Sequence, residues 1–327
     1  MSIEFGDLTT QIAGDGRITD DEIIELRRLG WADGKISPDE AESLFVANET
    51  ADEAGPDWCD FFVEALTSFV VYTVEPRGYV DPEMADELIA RIDRDGRVGT
   101  LAELELLVRV IEVATSAPQV LRDYALKQIE EAVTLGEGPT RHGALSPHGI
   151  NETEVALVKR LIFGSASERP AGVSQAEAEM LFRIKDATLY EVNAPEWREL
   201  FVKGVAQFLL GFGGEEALDS GRAAELEAFM AREGAGIGGF LGRVFTSKPD
   251  FTGFGSLLGI GGDEPDYLDD VAERADEAAA FSASEQAWLQ DMLDADEELD
   301  ELEKALIGFI DAETGETFVP RPEAPAR

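Results

Sequence analysis

The residues in this sequence best suited to chemistry are carboxylates set beside glycine between two helical stretches. Four loops have this form or its relic: GDGRITDDE (14–22), ADGKISPDE (32–40), RDGRVGTLAE (94–103) and, without the glycine, ADEELDELE (295–303). A hard cation such as Ca²⁺ wants six to eight oxygens, and a twelve-residue helix–loop–helix site supplies them from alternate positions around a glycine turn, closing on a glutamate. With Gly34 at the turn, Asp33 falls at position 5, Lys35 offers its backbone carbonyl at 7, and Glu40 closes the loop at 12. Asp15, Gly16 and Glu22 fall identically one loop earlier. The first two ligand positions hold Leu29 and Trp31 in one loop and Gln11 and Ala13 in the other, which leaves about half an oxygen set. The third loop has Asp93 and Asp95 but Ala102 at the closing position, with Glu103 one place late. The fourth has Asp294, Asp296, Asp300 and Glu303, but Glu297 stands where the turn wants glycine. Asp33, Lys35, Glu40, Asp15 and Glu22 are therefore the expected metal ligands. Ca²⁺ is the expected cofactor, bound at millimolar rather than sensor affinity.

The same residues have a second use. Gly34 can take the left-handed conformation that ends one helix, and Ser37-Pro38-Asp39-Glu40 then starts the next with Ser at N-cap, Pro at N1 and Glu at N3. Such a capping box stabilises a helix start by about 1 kcal/mol and needs no metal. Thr19 with Glu22, Ser174 with Glu177 and Ser282 with Glu285 repeat the spacing. Both uses remain open at this level.

Other constellations are weaker. His142 and His148 both fall in a Gly/Pro-rich linker, and no Glu-x-x-His is encoded, so a di-iron bundle is not expected. The single Cys59 sits beside Trp58 and ahead of Phe61-Phe62, which reads as a packed thiol rather than a nucleophile. Gly234-Ala235-Gly236-Ile237-Gly238-Gly239 fits G-x-G-x-x-G literally, but a helical stretch precedes it where a dinucleotide fold needs a strand. No nucleophile–base pair assembles, so the chain is not expected to be an enzyme.

The elements that must position these loops are helices. Ile23, Leu26 and Leu29 recur at helical spacing, as do Trp58, Phe62, Ala65 and Phe69. No sustained two-residue alternation suggests strands. The chain also repeats itself. ISPDEAESLF (36–45) aligns with VSQAEAEMLF (173–182), and GPDWCDFFVEALTSF (55–69) with APEWRELFVKGVAQF (194–208). ITDDEIIELRRLGW (18–31) parallels INETEVALVKRLIF (150–163), and residues 80–114 parallel 281–313. The order of blocks is the same in both, which predicts an all-α, internally duplicated bundle of helical hairpins: a first half at 1–140 and a second at 141–327. The second half carries an insertion at about 213–280, with helices expected at 220–232 and 266–280 around a Gly-rich apolar stretch at 234–262. That stretch is a candidate surface for a protein partner. The tail after Phe318 reads as disordered.

Charge narrows the function classes. Sixty-eight Asp and Glu against 27 Lys and Arg leave −41, a field that repels nucleic-acid backbones and anionic membranes. The first residues have no basic and apolar signal pattern, no apolar run is long enough to span a bilayer, and one cysteine makes no internal disulfide. A cytoplasmic protein is expected.

The loop motif also resembles a known family. GWADGKISPDEAESLF, with Asp33, Gly34, Ile36, Ser37 and Glu40, is similar to the helix–loop–helix signature of tellurite-resistance TerB-like domains, and shares its outline with EF-hand proteins. Asp15, Gly16, Ile18, Thr19 and Glu22 repeat it. The resemblance covers about 35 residues at 14–47, with fainter echoes at 80–114 and 281–313. The second half keeps Ser174 and Glu177 but lacks Asp-Gly. The resemblance implies an all-helical domain tied to metal or stress response, binding a divalent cation through acidic loops. The alternative is a metal-independent scaffold or adaptor that contacts a protein through 234–262.

Overall fold

The described residues of the chain, in a computed structural model, are 3–32, 34–51, 55–73, 75–94, 96–141, 148–164, 173–210, 283–293, 299–315 and 317–320. They form an all-α protein with one minimal hairpin. The helices are α1 (Ile3–Asp15), α2 (Asp20–Gly30), α3 (Pro38–Thr50), α4 (Pro56–Tyr72), α5 (Pro82–Ile92), α6 (Leu101–Val113), α7 (Gln119–Leu135), α8 (Glu152–Ile162), α9 (Gln175–Thr188), α10 (Glu196–Leu209), α11 (Ala283–Leu293) and α12 (Glu301–Thr314). Strands β1 (Asp93–Arg94) and β2 (Arg97–Val98) pair antiparallel around Gly96. The helices expected at 220–232 and 266–280, the stretch at 234–262, the Ser282 cap and most of the linker around His142 lie outside the described residues.

Helix starts follow the capping residues. Among the described residues, reciprocal boxes open α2, α3, α6, α8, α9 and α12, with N-caps Thr19, Ser37, Thr100, Asn151, Ser174 and Asp300. Each N3 residue is a glutamate. Three boxes serve α1–α6 and three serve α7–α12, at corresponding places.

Packing repeats in the same way. In the first six helices, α1 packs on α2 and α3, α4 packs on α2 and α3, and α6 packs on α4. In the last six, α7 packs on α8 and α9, α10 packs on α8 and α9, and α12 packs on α10. Two aromatic contacts recur in both sets of helices. Phe45 meets Phe62 edge-on at 5.5 Å, and Trp58 lies 6.0 Å from Phe62. Phe182 meets Phe201 edge-on at 5.2 Å, and Trp197 lies 6.0 Å from Phe201. Trp58, Phe62, Trp197 and Phe201 are all buried, each contributing about 1.5–3 kcal/mol of apolar burial. α6 and α7 also pack on α8, so one continuous core runs through the molecule.

Helix α7 packs on α8 and α9 as α1 packs on α2 and α3, and it opens on Pro118 with no side-chain cap, so it lacks the start signal that marked its neighbours. At the Asp-Gly loops, Gly16, Gly34 and Gly96 adopt φ of 70°, 87° and 89°. Nothing crowds a Cβ at Gly34, so its requirement is conformational: the chain turns through a left-handed residue between two helices.

Candidate functional site

Glu40 opens α3 by accepting the Ser37 backbone N–H at 2.9 Å and the Ser37 hydroxyl at 2.8 Å on one carboxylate oxygen. Its own N–H donates to Ser37 Oγ at 3.3 Å, and the residue is buried. Glu22 does the same for α2: one oxygen accepts from Thr19 N at 2.9 Å and Thr19 Oγ1 at 2.7 Å, and the other accepts from Gln11 Nε2 at 3.2 Å. Lys35 is exposed. Asp33 lies outside the described residues, as does the side chain of Asp15, whose backbone ends α1. So of the five expected ligands the structure places two carboxylates, Glu22 and Glu40, and both are occupied at helix starts in separate loops. Among the described residues, no three His, Cys, Asp or Glu side chains come together as a metal cluster would require.

In the third loop, Asp93 turns inward. One oxygen accepts Gly96 N at 2.8 Å and the other accepts the Tyr124 hydroxyl at 3.0 Å. Gln128 of α7 closes the hairpin, accepting from Val98 N at 2.9 Å and donating to Gly96 O at 3.0 Å.

The most distinctive chemistry lies where α4 and α10 begin. In the first half, Asn48 at the end of α3 accepts the Trp58 indole N–H on Oδ1 at 3.0 Å and donates from Nδ2 to the Thr100 hydroxyl at 3.0 Å. Thr100 caps α6 with Glu103, which is fully buried. Continuing the alignment of 36–45 with 173–182 for three residues puts Lys185 where Asn48 stands. Lys185 is 1% exposed and donates to Asp300 at 2.8 Å, Glu303 at 2.6 Å and Asp186 at 2.7 Å. Asp300 and Glu303 form the α12 box that corresponds to Thr100 and Glu103. Burial works against the Lys185 charge, but hydrogen bonds to Asp186, Asp300 and Glu303 outweigh it and hold the ammonium above the ordinary lysine range. Burial pushes the Glu303 carboxyl up, against the pull of Lys185 and the Asp300 backbone N–H. A lysine ammonium has no acceptor to offer, and the buried Trp197 Nε1 has no hydrogen-bond partner among the described residues.

A groove opens beside each of these knots. The larger holds about 960 Å³ and is lined along α4 and α6, with Arg160 of α8 at one end. The smaller holds about 580 Å³ and uses the corresponding positions Ala194, Pro195, Asp300, Glu301 and Leu302. In the larger groove, Thr67 is buried with no partner for its hydroxyl among the described residues. Arg160 bridges Glu105 at 2.6 Å and Glu112 at 3.1 Å, and Arg109 meets Glu112 at 2.8 Å. Cys59 also lines it. Burial, aided by Glu105 and Asp60, pushes that thiol up to about 11, so it stays protonated and unreactive at neutral pH. Sequence reasoning singled out none of Asn48, Lys185, Thr67, Arg109 and Arg160. The readable signal was the substitution of Asn48 by Lys185 within an otherwise matching block.

No helix of the described residues is long and apolar enough to cross a membrane. Compared with known proteins, the chain matches no family model, no curated protein and no solved structure. The likeness of its Asp-Gly loops to TerB-like and EF-hand domains rests on those residues alone.

Proposed function

We propose that the chain is a non-enzymatic, metal-independent helical scaffold that binds another protein, built from two related units whose described helices are α1–α6 and α7–α12. The repeat boundary then lies in the loop before Gln119 rather than near residue 140. The observation that carries the reading is the placement of Glu22 and Glu40: their carboxylates accept hydrogen bonds from the helix starts they cap, which accounts for the Asp-Gly-x-Ile-Ser-x-x-Glu motif through folding. A cytoplasmic setting fits its one cysteine, which is unpaired.

A second reading, weak Ca²⁺ binding of the kind the TerB-like resemblance implies, is favoured by the positive φ of Gly16 and Gly34, the turn that a calcium loop also needs. Thermal melts in EDTA, Mg²⁺ and Ca²⁺ at equal ionic strength separate the two. The scaffold reading predicts equal melting temperatures in Mg²⁺ and Ca²⁺. It also predicts that Ser37→Ala lowers the melting temperature in all three, while Glu40→Gln, which keeps an acceptor at N3, lowers it less. A calcium-specific rise at millimolar ion that Glu40→Gln abolishes would overturn it.

A further inference from the structure

The larger groove is as long as a helix. Along α4, the pairs Cys59–Asp60, Val63–Glu64 and Thr67–Ser68 line it at four-residue intervals and Tyr72 follows, which is one face of a helix from end to end. Leu101, Glu105, Arg109 and Val113 do the same at four-residue intervals along α6. Asn48 ties the starts of these two helices together, so the groove is a trough between two rods held in register. The 17 residues of α4 give it a length of about 25 Å. Its walls are mixed: Val63, Leu101, Val113 and the half-exposed Tyr72 ring are apolar, and Thr67 adds a buried hydroxyl without a partner.

The charges in the trough do not cancel. Arg160 and Arg109 are matched by Glu105 and Glu112, and Glu64 is held by Arg27 across an exposed surface pair. Asp60 has no ion-pair partner among the described residues and sits one turn from Glu64. The residual charge is negative, in a chain of net −41. Resting on the scaffold reading above, we propose that this groove docks an amphipathic helix of a partner protein, apolar on the face that enters between α4 and α6 and carrying Lys or Arg where it passes Asp60 and Glu64. Helix-in-groove docking uses this combination: apolar anchors at i, i+3, i+4 and i+7 supply area, and rim charges set orientation and encounter rate. The Arg27–Glu64 pair is half exposed on both sides, so exchanging Arg27 for a partner cation costs little.

Cys59 is the only cysteine and lines the trough, so it reports occupancy without mutation. The probe is a synthetic helical leucine–lysine peptide with leucines at i, i+3, i+4 and i+7, with a leucine–glutamate peptide of the same apolar face as control. Alkylation of Cys59 is followed at pH 9 and 0.15 M salt. The leucine–lysine peptide should bind one to one and slow alkylation at least tenfold, and the leucine–glutamate peptide should leave the rate unchanged. Asp60→Lys, an exposed change, should weaken binding roughly tenfold. Val63→Arg should abolish it, and Asp86→Lys, the same charge change on the exposed face of α5, should leave it intact. Absence of binding overturns the proposal, as does binding without protection of Cys59 or binding weakened equally by Asp86→Lys, which would be adsorption to net charge. None of these three results touches the metal-independent reading, which fails separately on a calcium-specific melt.

Discussion

Asn48 and Lys185 stand at corresponding places at the ends of α3 and α9, and they solve the same packing problem in opposite ways. Asn48 is neutral and two-faced: it accepts from Trp58 and donates to Thr100, so the buried indole N–H has a partner without any buried cation. Lys185 gathers three carboxylates and leaves Trp197 Nε1 with no acceptor. A buried ion cluster is costly to desolvate, and its net gain over a neutral arrangement is small, but removing one partner strands the others. The second knot is thus the more brittle, and it ties α9 directly to α12.

The largest way to break this comparison is Lys185→Met. It keeps the stem but leaves Asp300 and Glu303 buried without a cation, and should destabilise the protein by about 3–5 kcal/mol in urea denaturation. A cost below about 1 kcal/mol would mean that the cluster is solvated and the two junctions are alike.

A sharper test rebuilds the first junction in the second. Lys185→Asn gives Trp197 an acceptor but strands Asp300, and adding Asp300→Thr completes the Asn–Trp–Thr–Glu arrangement of the first half. The two changes should couple favourably by about 0.5–3 kcal/mol, the double variant being more stable than the sum of the singles predicts. Additive effects would show that the two sites do not share a frame.

The smallest effect is on pH. The folded-state pKa of Lys185 lies above the ordinary lysine value of 10.5, so the folded chain holds that proton more tightly than the unfolded chain. The stabilisation is complete below about pH 10.5 and is lost as pH rises through the folded value. Wild type should therefore lose stability relative to the Lys185→Asn, Asp300→Thr variant above pH 10.5, and the difference should be constant between pH 7 and 9.

What the sequence made legible follows from how local each signal is. Helix starts were readable because a box is written in four consecutive residues, Ser37 to Glu40 or Ser174 to Glu177, and the apolar stripes of α2 and α4 are equally local. The all-α class follows from those alone. α7 opens without a box, so its place beside α9 rests on tertiary packing. The grooves and knots were not readable. Asn48 meets Thr100 across 52 residues and Lys185 meets Glu303 across 118, and no spacing rule predicts such pairs. The acidic loops invited a metal reading because a capping glutamate and a closing calcium ligand occupy the same register after glycine. The hydrogen bonds of Glu22 and Glu40 show both boxes formed.

The central claim, one frame with two different polar knots, is tested most directly by exchanging each indole for a phenyl ring. Trp58→Phe and Trp197→Phe remove the same atoms from matched, buried positions on α4 and α10, so their packing losses should be similar. Trp58→Phe also strands Asn48 Oδ1, whereas Trp197→Phe removes a donor that had no acceptor. Urea denaturation of the two single variants should therefore show Trp58→Phe the more destabilising by about 1–3 kcal/mol. Equal losses, or a larger loss for Trp197→Phe, would contradict the account.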